Sequence, residues 1–437
     1  MSMRGARVPK PGDDEFYSAP DGFEKLATGA VIRVRPVRIG LFGVIPQRVS
    51  AWQLLYRTQD LDGRPEVAVT TVLAPHGARP WGRPLLSFQC AIDAVAPQCL
   101  PSYALRQGAR VIGALPQLEL PQIGAALERG WLVSVPDHGG TAGRFGVPRE
   151  PGYRALDAVR ATIGHLGLDE SNPVALGGYS GGGLATVWAA EVAGDYAPEL
   201  NLVGAVAGSP VGDPGATLVR LQGTVFAGFP AVFVAGLCKA YPELDRRVRA
   251  GLSPEYAARL DRAARLATLP LLARFARSDV DRHITGGLRA FLATPQVATV
   301  IDDIRPGVVA PKLPLLVFQA VHDEVIDERD IAGLVDRYRA GGADVDYLRD
   351  RLGLHTPLQF AGTPLLLDWL ADRLTGQQIA GHTRTVVSIG FDRRTARGQR
   401  RFAATVGRML TGRPLRDRGT AAAPARIRRL RSRPVAS

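Results

Sequence analysis

The chain has 437 residues, 46% of them hydrophobic; residues 15–375 hold enough apolar sequence to bury a full sheet and its helices, so the length does not demand two independent folds. The formal charge of +13 points to nucleic acid or membrane until it is located: residues 382–437 hold 15 Arg and 2 Asp, so residues 1–381 hold 39 basic and 39 acidic side chains and call for no anionic partner. Three cysteines, Cys90, Cys99 and Cys238, permit one bridge at most, have no metal-site spacing and leave the compartment open.

The first residues, Met1 to Asp14, have no apolar core for a signal peptide, and no membrane span is seen. The expectation is a cytoplasmic or membrane-surface protein, unless the start site omits a leader. Residues 1–50, broken at Pro20 and Pro46, are expected to wrap the body. Residues 84–89 and 131–136 read as short buried strands. His138-Gly-Gly140 after the second of them reads as a turn.

Residues 174–176 form a third such signal, which runs into Gly178-x-Ser180-x-Gly182 and then into a helical run with Leu184, Val187 and Trp188 at helical spacing. This is the pattern of a nucleophile elbow. The serine occupies a strained strand-to-helix turn, and the residues two before and two after must be small because the backbone passes close to itself there. A serine hydroxyl is a poor nucleophile at neutral pH, so the reading requires a histidine base and a carboxylate to orient it, in the order Ser, Asp, His.

Beyond a strand at 202–207, residues 211–310 are far more than a crossover helix needs and read as a helical cap. Its stretch 221–238 carries no charge, yet its glycines and Pro230 argue against a membrane span. An uncharged cap over a serine site suits a long acyl chain, with Phe226, Phe229, Val232, Phe233 and Val234 as the expected lining. A strand at 314–319 then ends near an acid; Asp323 is the first candidate, with Asp327 and Glu324 behind it. A further strand at 343–348 leads to His355. Elimination also leaves His355: His76, His138, His165 and His283 precede Asp323, His322 adjoins it and His382 lies beyond the last clear helix.

In these roles His355 takes the proton from Ser180 as it attacks an acyl carbonyl, and Asp323 holds the imidazole tautomer. The oxyanion needs two donors, one from the N–H after the nucleophile, Gly181, and one from the loop after the strand at 84–89, between Cys90 and Asp93.

Together these pieces resemble the secretory lipase family of fungal lipase A type, a branch of the α/β-hydrolases. The resemblance spans roughly residues 11–375 and rests on Asp14-Glu-Phe-Tyr17 with Pro20, Tyr56-Arg-Thr58, Thr71-Val-Leu-Ala-Pro75, Ser87-Phe-Gln89, Cys99-Leu-Pro-Ser102-Tyr103, Pro136-Asp-His138, Gly178-Tyr-Ser-Gly-Gly182, Asp323-Glu-Val325 and His355. It implies an α/β-hydrolase fold, a mostly parallel central sheet flanked by helices with an inserted helical cap. It also implies that the second oxyanion donor is Asp93, that acylglycerol esters are the substrates, and that no metal or organic cofactor is used. Members typically carry a secretion signal, which this chain does not show.

The expected organisation is a wrapping segment (1–50), a first core part (51–210), the cap (211–310), a second core part (311–381) and an Arg-rich tail (382–437). The expected function is hydrolysis of carboxylic esters, triacylglycerol first, by a Ser–Asp–His triad. A shorter-chain esterase, an acyltransferase and a non-catalytic lipid-binding module are the alternatives. The tail's basic residues suit weak contact with an anionic membrane surface and no specific nucleic acid. The sequence leaves the oligomeric state open.

Overall fold

The computed structural model describes residues 8–377, 381–391 and 395–417. Its strands are β1 (Val31–Pro36), β2 (Gly40–Leu41), β3 (Ile45–Pro46), β4 (Val49–Gln59), β5 (Pro65–Pro75), β6 (Leu85–Gln89), β7 (Leu132–Pro136), β8 (Val174–Tyr179), β9 (Leu202–Gly208), β10 (Leu315–Ala320), β11 (Val345–Asp350) and β12 (Thr383–Val386). Ten of them form one sheet in the order β1-β4-β5-β7-β6-β8-β9-β10-β11-β12, and β2 with β3 makes a separate small hairpin. From β7 to β12 every pairing is parallel, while β1, β4 and β5 add an antiparallel edge.

The central strands are apolar on both faces, and the period-two alternation sorts their side chains into two cores. Leu176, Leu315 and Val317 pack on one side with helix Gly181–Tyr196 and the cap, whereas Ala175, Leu316 and Phe318 pack on the other with helices Pro116–Glu128 and Thr363–Leu374. Parallel strands place all their C-terminal ends on one edge. The nucleophile, acid and base candidates all leave the sheet there.

Seven α-helices lie between β9 and β10, where the sequence predicts a cap. Four of them, starting at Pro214, Pro242, Pro254 and Pro295, open on proline, whose fixed φ and missing N–H suit a first helical position. Asp213 and Ser253 cap two of these by accepting the N–H of Ala216 and Tyr256 at 2.9 and 3.3 Å. Among the described residues no helix is long and apolar enough to cross a membrane.

Two expected boundaries differ. Residues 1–50 do not simply wrap the body, since β1 extends the sheet along β4. The expected tail over 382–437 is folded along its described part. Thr383–Val386 is the last parallel strand, and helix Ala396–Leu410 lies on helix Pro116–Glu128, with Met409 and Thr405 buried and the Met409 sulfur seated over Gly124. The arginines hid this because charge was counted without its periodicity: Phe402, Val406 and Met409 recur at i, i+4, i+7 on the inward side. Arg83 and Asp417 pair at 2.7 Å at the end of this segment. Residues 418–437, with the basic run expected to meet a membrane, lie outside the described residues.

Candidate active site

Ser180 stands between β8 and helix Gly181–Tyr196 with φ 53° and ψ −120°, a region that a residue with a Cβ enters at a cost of about 1–3 kcal/mol. The neighbouring glycines are sterically required. A Cβ on Gly178 would lie 2.4 Å from the Gly182 carbonyl oxygen, and one on Gly182 would lie 2.1 Å from that of Gln89. The strain turns the half-buried Ser180 hydroxyl out over the sheet edge.

Ser180 Oγ is 2.9 Å from His355 Nε2, and His355 Nδ1 is 2.8 Å from Asp323 Oδ2. The other Asp323 oxygen accepts the N–H of Val325 and Ile326 at 2.8 and 2.7 Å, and Gln319 Nε2 donates to Oδ2 at 3.1 Å. Burial alone would raise the Asp323 pKa. The bond to His355, the charge of that ring and the two backbone donors outweigh it and hold the carboxyl below its usual range. His355 is itself fixed from behind: Tyr179, the residue before Ser180, donates its hydroxyl to the His355 carbonyl at 2.6 Å and accepts from Ser209 at 2.8 Å. The two other acid candidates are used differently. Glu324 accepts the His355 N–H at 3.0 Å, and Asp327 caps helix Glu328–Ala340 through the Arg329 N–H at 2.9 Å.

Gly181 opens its helix, so its N–H is among those that helix geometry leaves without an internal acceptor. Asp93, at φ 40°, is buried beside it; a Cβ on Gly181 would lie 1.9 Å from Asp93 Oδ1. Among the described residues that oxygen has no hydrogen-bond partner. Burial pushes the Asp93 carboxyl up to about 6, the nearby His355 opposing. The loop carrying Asp93 is held from two sides that the sequence did not reveal. Buried Glu119 accepts the Ala91 N–H at 2.8 Å and a bond from Gln359, on the helix that His355 begins. From the cap, Thr268 Oγ1 donates to the carbonyls of Ile92 and Asp93 at 3.1 and 3.2 Å. His138 lies in a turn and bonds the Cys90 carbonyl at 2.7 Å through Nε2; burial lowers its pKa to about 4, so the ring is neutral.

An apolar cavity adjoins Ser180, lined by Phe145, Leu218, Leu221, Phe229, Pro230, Phe233 and Ile326 among others. A second cavity inside the cap shares Leu218 and Pro230 with it and continues past Val234 and Leu237. Of the expected acyl-lining residues, Phe229 and Phe233 face the first cavity and Val234 the second. Phe226 stacks on Phe229 at 6.3 Å outside the lining, and Val232 is fully buried in the core. Those two placements correct the expectation: an uncharged run has no polar side to mark which of its residues face inward. Phe145 and Leu218 were missed because they reach the cavity from other segments.

Among the described residues no cluster of three or more potential ligands could hold a metal ion, and all three cysteines are free.

A sheet with this topology, a serine elbow and a helical insertion after β9 define the α/β-hydrolase class. Within it the chain belongs to the secretory lipase family, whose sequence model matches residues 105–381. It is 45% identical over 420 residues to a Mycobacterium tuberculosis protein named a probable inactive lipase, covering 95% of this chain and 94% of that one. It is 36% identical to lipase A of Arthroderma benhamiae, covering 84% and 80%. The crystal structure of Candida antarctica lipase A superposes with a TM-score of 0.81 at 27% identity, covering 92% of this chain and 95% of that one.

Proposed function

We propose that the protein hydrolyses carboxylic esters of long acyl chains, triacylglycerol first, through an acyl-enzyme on Ser180. The observation that carries this reading is the continuous hydrogen-bonded line from Ser180 Oγ through His355 to Asp323, opening on an apolar cavity. His355 Nε2 takes the hydroxyl proton as Oγ attacks the ester carbonyl, while Nδ1–H stays bonded to the ionised Asp323. The N–H groups of Gly181 and Asp93 receive the oxyanion. The tetrahedral species collapses, His355 returns the proton to the departing alcohol, and water repeats the cycle on the acyl-enzyme. The acyl chain lies along Phe229 and Phe233 towards the cap.

The names of the fungal relatives support a lipase. The name of the mycobacterial relative favours a second reading, a hydrolase fold that binds lipid without turnover. Against that reading, serine, histidine and aspartate here are all present and hydrogen-bonded in sequence. The test is a p-nitrophenyl ester series from acetate to palmitate, with and without detergent micelles. Long-chain turnover supports the lipase reading, short-chain turnover alone replaces it with an esterase, and no turnover leaves the binding role.

Two expected results refine the assignment. Leu218 lines both cavities, so Leu218→Trp should lower palmitate-ester turnover at least about tenfold and leave the butyrate ester within about twofold, the scale on which apolar pockets discriminate length. Equal losses on both esters would place the acyl chain elsewhere. Asp93 is neutral below about pH 6 and ionised above it, and an ionised carboxylate opposes charge developing on the neighbouring oxyanion. The kcat ratio of Asp93→Asn to wild type should therefore rise between about pH 5 and about pH 8. A flat ratio would show that Asp93 does not ionise near the reacting carbonyl.

A further inference from the structure

Two loops at the catalytic edge of the sheet hold large apolar side chains in solvent. Residues 351–354 follow β11 and lead into His355; residues 387–391 follow β12, which is parallel to β11, so both loops leave the sheet at the same end. Leu352, Leu354, Val387 and Phe391 are 65%, 48%, 66% and 86% exposed.

These loops are fastened. Asp350 is buried; one of its oxygens accepts the N–H groups of Leu352 and Gly353 at 2.9 and 2.7 Å, and the other accepts that of Ile389 at 2.6 Å. Arg351 and Leu352 also donate to the carbonyls of Val386 and Val387, both at 3.1 Å. One buried carboxylate thus sets both loops, and four apolar side chains are held outward at a hydration cost that only a covering partner removes.

The same region carries cations. Arg351 lies on the first loop, Arg384 on β12, and Arg397 and Arg400 in the first turns of helix Ala396–Leu410, whose start is tied to the second loop by Thr395 Oγ1 donating to the Ile389 carbonyl at 2.8 Å. All four arginines are exposed, and none makes an ion pair among the described residues. Glu324, on the loop after β10, is engaged with the His355 N–H.

Apolar side chains that enter the headgroup and acyl boundary, accompanied by arginines that meet phosphates, complement an anionic lipid surface. We propose that Leu352, Leu354, Val387 and Phe391, with Arg351, Arg384, Arg397 and Arg400, form the surface by which this protein docks on an anionic lipid interface. What the docked protein does there rests on the proposed hydrolysis; the docking itself does not.

The experiment uses the full chain with Ser180→Ala, so that vesicles survive, and measures co-sedimentation with vesicles of phosphatidylcholine alone and of an equimolar phosphatidylcholine and phosphatidylglycerol mixture. The background protein should partition onto the mixed vesicles and far less onto phosphatidylcholine. Adding Val387→Asp with Phe391→Asp, or Arg397→Glu with Arg400→Glu, should each weaken that partition by about tenfold or more, given the apolar area and the charges at stake. In the active chain both pairs should leave turnover of soluble p-nitrophenyl butyrate unchanged. Wild-type binding by the Val387/Phe391 pair overturns the proposal, and so does binding that is equal on both vesicle types. A protein that binds mixed vesicles and hydrolyses no ester sinks the hydrolytic reading and leaves the docking surface standing.

Discussion

Ser180→Ala is expected to lower kcat on a p-nitrophenyl ester by about 10⁵- to 10⁶-fold with little change in KM. The loss is this large because Ser180 is the only atom source for the acyl-enzyme in the proposed mechanism, and the remaining groups act only as a unit with it. KM should hold because the acyl chain is bound by the cavity walls at Phe229, Phe233 and Leu218, none of which the substitution alters. Alanine keeps a Cβ at the strained φ of 53°, so it neither relieves nor adds backbone strain, and thermal unfolding should shift little. Turnover of the variant within about tenfold of wild type would remove Ser180 from the chemistry and with it the whole proposed function.

Asp323→Asn carries the second large effect, about 10⁴-fold in kcat, and the hydrogen-bond pattern gives its reason. Oδ1 already accepts two backbone N–H groups, from Val325 and Ile326, so the asparagine carbonyl must take that place. Its NH₂ then replaces Oδ2, facing His355 Nδ1 and the Gln319 amide. A donor at that point forces Nδ1 to accept, moves the ring proton to Nε2 and points it at Ser180 Oγ. Such a ring cannot take the hydroxyl proton. Nitrogen NMR of the histidine in wild type and variant checks the tautomer directly; an unchanged tautomer together with unchanged kcat would exclude Asp323 as the orienting group.

Much of this was legible in the sequence where chemistry restricts residue choice severely. Gly178 and Gly182 were readable because no side chain fits within 2.4 Å of a carbonyl, and the order of Ser180, Asp323 and His355 follows from strand ends that a parallel sheet collects on one edge. The cap was readable from excess length. What was hidden depends on three-dimensional neighbours. Nothing near Thr268 or Glu119 in the chain announces that each holds the Asp93 loop, because their partners lie more than a hundred positions or some thirty positions away. The C-terminal strand and helix were masked by arginine content, although Phe402, Val406 and Met409 keep a helical apolar stripe beneath it. The choice between Phe226 and Phe229 as lining was likewise beyond a run that is apolar all round.

The hydroxyl of Thr268 makes roof and floor of the site interdependent. The cap is usually thought of as an exchangeable module that sets substrate preference while the core keeps the chemistry. Here one cap side chain fixes the loop on which an oxyanion donor is proposed to sit. On the proposed mechanism, grafting a foreign cap onto this core would therefore have to reproduce a hydroxyl at that point or lose rate on every substrate alike, and the protein's freedom to diversify its cap is bounded by the transition state that mechanism requires.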